Sequence, residues 1–299
     1  MTKRFWCGLR CAGFFESPTL HSVLGISILL VLAVFSSPYV RAEDPVQPRE
    51  SAGQLAREMV HNELTAQDQD KSLWKYREYN EQDGKPAEMR EVVETQQGEI
   101  HRVTAVNGKP LSGKQRLDEQ QRIRKILADP DDFRQKQKNL EHDAGQERKL
   151  LQMLPQAFLY SFDGTQDGFI RLKFRPNPQF HTDSHESEVF HHMEGDMLID
   201  RRTHRLAEIQ GRLMTEVKFW DGLLGHLDKG GTFRVEQRDV GGGHWEMTQL
   251  DVEMNGKALF FKTIAVHQKQ VDTEFRPLPD HTTLKQAGQL LAINTNTSD

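Results

Sequence analysis

The chain has 299 residues, of which 36% are hydrophobic and 28% charged, with a mean hydropathy of −0.69 and a net charge of −5. That length suits one large domain or two small ones, and such polarity requires some solvated helix or tail. The acidic balance, with a pI near 6.2, argues against a nucleic-acid partner, which would normally require a basic face.

Lys3, Arg4 and Arg10 precede an apolar run, Val23 to Phe35, which is followed by Ser36-Ser37-Pro38-Tyr39-Val40-Arg41-Ala42. This is the order of a secretory leader, with Val40 and Ala42 as the small residues before the cut, so residues 1–42 are expected to be a signal peptide cleaved after Ala42. The thirteen residues of the run fall short of the roughly 20 that span a bilayer. No spanning segment is expected in the mature chain, and an uncleaved N-terminal anchor is the alternative. Cys7 and Cys11 both lie in the leader, so residues 43–299 hold no disulfide, thiolate metal site or cysteine nucleophile. Without the leader, which carries four basic residues and one acidic, the net charge is −8. A periplasmic or secreted location is the expectation.

Past a polar tail, Ser51 with Gln54 forms a capping-box pattern. Ala52, Leu55, Met59, Val60 and Leu64 then line one face of a helix, with Arg57, Glu58, His61 and Glu63 expected on its solvent face. From Leu73 the period shortens, and residues 73–79, 88–95 and 99–106 read as three strands. Asp83-Gly84 and Gln97-Gly98 separate them, and Asn107-Gly108 closes the third. Between Ser112 and Met153 the chain is dominated by Lys, Arg, Gln, Asp and Glu, with sparse apolar positions. Asp129-Pro130 divides this segment into two solvated helices, an arm that Leu154-Pro155 is expected to end. Its charges alternate in sign, the pattern of a salt-bridged solvent face. Two further strands flank Gly164 to Gly168. Gln179 to Met193 reads as a loop and short helix, and Glu194 to Gln270 as an antiparallel meander of five segments. The tail forms a turn or two of helix around Leu284, Leu290 and Leu291, then frays near 292–299.

No motif in this pattern carries chemistry. His181, His185, His191 and His192, interleaved with Asp183, Glu186, Glu188 and Glu194, have loose metal-ligand character, but no H-E-x-x-H occurs. Gly241-Gly242-Gly243 leads into His244-Trp245-Glu246 and a strand, so it reads as a hairpin turn, not a phosphate cradle. No G-x-S-x-G elbow is present. The expectation is a non-enzyme without a cofactor or metal. The aromatic and bulky strand residues are mainly core. A concave sheet face would leave Trp74, Tyr76, Leu198, Phe219, Trp220, Phe233, Trp245 and Phe261 as the lining of an apolar cleft. Phe219 to Leu224 places bulky groups in an apparent turn, which is costly unless they pack beneath the sheet or line its mouth.

Residues 195–211, with Gly195, Ile199, Asp200, Thr203 and Leu206, resemble the strand–turn–strand of LolA/LolB-type lipoprotein carriers and their LppX-like and RseB-like relatives. Gly231, Gly243 and Trp245 are similar to the hairpin that follows in those proteins. The resemblance covers Gly195 to His267, with Leu73 to Val106 a compatible strand set, and the charged arm departs from it. Val106–Ser112, Pro176–Pro178 and Gly195–Asp200 also resemble a group of exported bacterial proteins of unassigned function. The carrier resemblance implies an incomplete antiparallel barrel wrapped over helices, with a cavity for acyl chains.

The fold expected is therefore α+β: one domain over 43–299, with an antiparallel curved sheet forming an incomplete β-barrel packed on helices and a charged helical insertion at 112–153. The function expected is non-catalytic binding of an acyl chain, lipid or lipid-linked partner in the cell envelope. The alternatives are an envelope protein-interaction or sensor module acting through the arm, and a metal-dependent hydrolase using the histidine cluster.

Overall fold

The computed structural model describes residues 51–181, 188–219, 225–258 and 262–292. Helix α1 (Ala52–Gln69) starts at the expected capping box: the Gln54 N–H donates to Ser51 Oγ at 3.2 Å and the Ser51 N–H to Gln54 Oε1 at 2.8 Å. A four-strand meander follows, β1 (Leu73–Gln82), β2 (Glu88–Thr95), β3 (Gly98–Val106) and the two-residue β4 (Lys109–Pro110). Next come α2 (Gly113–Ala128), α3 (Pro130–Ala157), β5 (Phe158–Gln166) and β6 (Phe169–Pro176). A 3₁₀ turn at Val189–His192 leads into β7 (Met193–Asp200) and β8 (Leu206–Leu213). Short β9 (Val217–Phe219) and β10 (Gly225–Leu227) precede β11 (Thr232–Asp239), long β12 (Trp245–Ala258) and β13 (Lys262–Leu278), and α4 (Leu284–Ala292). The strands are more numerous than expected because β9 and β10 are side pairs too short to show a period.

All the pairs are antiparallel, in the spatial order β4-β3-β2-β1-β13-β12-β11-β8-β7-β6-β5, and the sheet is not closed, which fits an incomplete barrel. β13 lies between β1 and β12, with Glu78 opposite Asp272 and Val252 opposite Gln268. The two terminal halves of the chain are thereby joined. β4 and β5, consecutive strands in sequence, lie at opposite ends of the path, so α2 and α3 must carry the chain from one edge to the other. The 28 residues of α3 give it a length of about 42 Å at ~1.5 Å per residue.

The two ends of α3 serve different cores. Near its start, Phe133 packs with Val93, Ile100, Ile123, Leu284 and Ala287. Near its end, Leu151 and Leu154 join α1 and the inner face of β5–β8, β11 and β12. Adjacent strand residues point to opposite faces. Val93 therefore meets the α2–α4 side while Val92 packs with Trp74 and Tyr76 on the other. Pairs Tyr76·Val92, Asn80·Gln270 and Leu250·Gln270 carry that second face into the main core. The sheet is thus covered on one face at one end and on the opposite face at the other.

Two local expectations are corrected. Proline at position 155 lies inside the last turn of α3, which runs on to Ala157. It forgoes the bond that an N–H there would give to the Leu151 carbonyl, and only two residues follow before the chain extends. Glu63, expected on the solvent face of α1, is 1% exposed. Its carboxylate accepts from Arg205 Nε at 2.7 Å, Arg205 NH2 at 3.1 Å and the Leu206 N–H at 2.8 Å. The turn from β7 to β8 rises to meet the helix here, with Glu58 on His204 Nδ1 at 2.8 Å and Asn62 Nδ2 donating to the Thr203 carbonyl. That long-range contact leaves no trace in the helical period. Asp200 is a turn residue, as expected: its Oδ1 accepts from the Arg202 and Thr203 N–H groups at 3.0 and 2.8 Å. Partial burial works to raise its pKa, but these donors and the Thr203 hydroxyl hold the carboxyl below its ordinary range.

Candidate functional site

With α1 and α3 on the inner face of β5–β12, the outer face of those strands is free to be polar. Cross-strand ion pairs lace it together: Lys173 to Asp163 at 2.9 Å, Arg212 to Glu194 at 2.6 Å and Arg234 to Glu208 at 3.1 Å. Gln210 Nε2 adds a bond to Asp196 Oδ1 at 3.1 Å. The Glu208 carboxyl is raised above its ordinary range, first by partial burial and then by Glu236 and Asp196, despite the opposing pull of Arg234.

Into this face is set a trough of about 720 Å³, which reaches from Leu159 and Ser161 on β5 to Asp251 on β12. It crosses six strands, roughly 24 Å at ~4.8 Å per strand spacing. Its shape follows from two glycines in register. Phe174, Gly195, Gly211 and Phe233 stand in a row across β6, β7, β8 and β11. A methyl group on Gly195 would come within 2.6 Å of the Phe174 ring and collide with the Gln210 carbonyl oxygen. One on Gly211 would come within 2.5 Å of the Phe233 ring. The two rings occupy the inner-face space that side chains at 195 and 211 would take. The trough runs over this row on the outer face of the sheet.

The trough has a cationic rim over a partly apolar bed. Lys173, Arg175, Arg212 and Arg234 contribute four cations, against Glu194, Asp196 and Asp251. Lys and Arg stems add methylene surface to Leu159 and the two rings. Among the described residues, Arg175 is in no ion pair.

Of the eight residues expected to line an apolar cleft, Phe233 reaches this trough, through the row just described. Leu198 is half-buried on β7, opposite Arg171 and Glu208. Trp74 and Tyr76 are buried in a separate cluster, with Tyr76 stacked on Phe275 at 5.1 Å. Burial, then the nearby Glu99, Asp272, Glu94 and Glu78, pushes the Tyr76 phenol well above its ordinary pKa. Trp245 is half-buried, with the Arg205 guanidinium 5.7 Å from its ring centre. Phe219 lies in β9, and Trp220 and Phe261 fall outside the described residues. The described members are thus spread over separate places instead of converging on one cleft.

The histidine cluster is likewise dispersed where it is described. His181 is exposed, His191 rests against Phe180 at 5.6 Å, and His192 Nδ1 is 2.6 Å from Thr215 Oγ1. His185, Asp183 and Glu186 lie outside the described residues. Among the described residues no group of three or more His, Cys, Asp or Glu is placed to hold a metal ion. None of their helices is long and apolar enough to cross a membrane. The Gly241–Gly243 turn has positive φ at all three glycines, and Asp239 Oδ1 accepts from the N–H groups of Gly241 and Gly243. Its donors are thus engaged within the hairpin.

No protein-family model matches this chain, and no curated protein or solved structure matches it either.

Proposed function

We propose that the protein is a non-catalytic binding protein of the cell envelope whose ligand, an anionic lipid or lipid-linked amphiphile, lies in the trough across β5–β12. The observation that carries this reading is the trough itself: an elongated depression with four basic side chains on its rim and aromatic edges in its bed. Its volume falls in the range of about 300–1,000 Å³ usual for ligand sites. Arg175, the rim cation in no ion pair among the described residues, meets the anionic head. The chain lies over Leu159 and the methylene stems. This places the ligand on the face opposite α1, whereas the LolA/LolB-type resemblance implied a cavity between sheet and helices. In the same reading the leader at 1–42 directs export with cleavage after Ala42, and the charged helices of 112–153 are an insertion into a carrier-type scaffold.

The test is a titration of the whole chain with a fluorescent long-chain fatty acid and, in parallel, with its methyl ester. The acid is expected to bind at least about tenfold more tightly, as one charge-assisted contact predicts, and Arg175→Glu is expected to abolish that preference. Equal binding of acid and ester, or binding of neither, overturns the reading. A second reading, a protein-interaction module, is favoured by one separate observation, the open edge of β5.

A further inference from the structure

A sheet edge offers a row of unpaired N–H and C=O groups, and proteins that keep such an edge to themselves bulge, charge or cover it. The β3 edge is covered: Glu119 of α2 accepts from the Val103 N–H at 2.8 Å, and Arg122 NH2 donates to the His101 carbonyl at 2.5 Å. At the other end of the sheet no described strand follows β5. The Ala157 carbonyl accepts from the Asn177 N–H, which fixes the phase of the β5–β6 ladder. By the alternation of antiparallel bonding, Leu159 and Ser161 then bond β6, while Phe158, Tyr160 and Phe162 turn their backbone groups outward, although Phe158, where α3 ends, is only 4% exposed. Two of the three exposed large hydrophobic residues of the described chain are on this strand, Leu159 and Phe162, each 40% exposed, one on either face. Among the described residues the edge is blunted by a register irregularity after Phe162, at the Asp163-Gly164 step.

We propose that Leu159–Phe162 is a docking edge that accepts an extended, acidic segment of a partner protein as an added antiparallel strand. The charge of the occupant follows from β6, whose outer face is basic at every position of the stripe Arg171, Lys173 and Arg175. Ser161 stands between that stripe and an incoming strand and is small enough for long side chains to reach over it. Arg171 and Lys173 are answered by Asp196 at 3.8 Å and Asp163 at 2.9 Å, and Arg175, in no ion pair among the described residues, leaves the stripe positive by one charge within a chain of net charge −5. A second copy docked by the same edge would set its own basic stripe against this one, so charge selects a foreign acidic strand. Apolar residues of that strand would alternate with acidic ones and cover Phe162 on the inner side. The proposal does not depend on the trough holding a lipid.

The test uses the whole chain and an acetylated peptide of four Val-Glu repeats, with Val-Lys repeats and an alternately N-methylated Val-Glu peptide as controls. The Val-Glu peptide is expected to slow amide exchange at Tyr160 and Phe162, and the controls are expected to bind at least about tenfold more weakly because they lose the charge or the backbone pairing. Phe162→Pro, which removes an outward N–H without touching the β6 ladder, should abolish the effect. If that variant is misfolded by circular dichroism, Phe162→Lys replaces it, with the same expectation. Fatty-acid binding is measured on every variant and should not change with Phe162, which separates failure at the edge from failure of the trough. Equal binding of the Val-Lys or N-methylated peptide, protection elsewhere in the sheet, or a solution dimer dissociated by Phe162→Lys each overturns the proposal.

Discussion

The two edges of the sheet carry the same backbone chemistry and are managed in opposite ways. At β3, α2 supplies a carboxylate for one free N–H and a guanidinium for one free carbonyl, so a polar helix finishes a strand. At β5 the adjoining helix α3 packs on the inner core and leaves the outward groups of Phe158, Tyr160 and Phe162 without a neighbouring described strand. Both helices are strongly charged, so composition does not distinguish them. What differs is where the chain must go. After β4 it has to travel to the far edge, and it lays α2 along the edge it is leaving, then uses α3 for the crossing.

The sharpest way to break this arrangement is at Glu63, where α1 meets the start of β8. Glu63→Ala removes the carboxylate that Arg205 and the Leu206 N–H share. Losing one partner of a buried ion pair costs about 3–5 kcal/mol. Urea unfolding should report that loss, and a loss below about 1 kcal/mol, the level of a surface pair, would show that α1 is held by apolar contacts alone. Next in size is Gly195→Ala, where the new methyl meets the Phe174 ring and a backbone carbonyl. Overpacking of this kind costs about 1–3 kcal/mol. It should also displace the row beneath the trough, so fatty-acid binding is expected to fall more than stability. Retention of full binding would separate the trough from the glycine row.

Much of the covered end was legible in sequence, because it depends on local rules. Ser112 caps α2 through Gln115, Asp129 caps α3 through the Asp132 N–H, and Pro130 takes the first helical position. The strands bounded by Asp83-Gly84 and Asn107-Gly108 were also plain from turn chemistry. The trough was not legible, since it needs Gly195 and Gly211 to come into register beneath two phenylalanines from other strands. Either glycine alone reads as a weak strand position. Glu63 was misread for a related reason: its partner Arg205 is 142 positions away, and a helical period sees one helix only. The pairing of β1 with β13 is equally silent, as strand patterns fix a face but not a neighbour.

The covered edge can be opened in turn. Glu119→Ala leaves the Val103 N–H without its acceptor and Arg122 without its partner. A buried donor left unsatisfied costs about 1–3 kcal/mol, reduced here because water reaches this edge. The more specific readout is local: exchange at the Val103 amide should quicken while the Ile100 amide, within the β2–β3 pair, stays slow. If both quicken together, α2 is holding the hairpin as a whole and not just finishing its edge.

The smallest effect, in pH dependence, compares the covered edge with the outer face of β8 and β11 through one carboxylate in each. Burial works to raise the pKa of Glu119, but Arg122 and the Val103 N–H outweigh it, and the carboxyl is held below its ordinary value of 4.5. Its ionised form is the one the fold favours. That contribution is fully present above the unfolded pKa and is lost as pH falls through the lowered one. Glu208 is raised above 4.5, so its fold favours the proton. Ionising it costs stability, and the cost appears as pH rises from the unfolded pKa through the raised one. The two differences from wild type should therefore slope in opposite directions. Relative to Glu119→Gln, wild type should lose its advantage as pH falls below the ordinary carboxylate range. Relative to Glu208→Gln, wild type should lose ground as pH rises above that range. Urea midpoints on either side of the range measure both slopes. Parallel slopes would mean that Arg234 controls Glu208 as Arg122 controls Glu119, and that the outer face there is electrostatically no different from the covered edge.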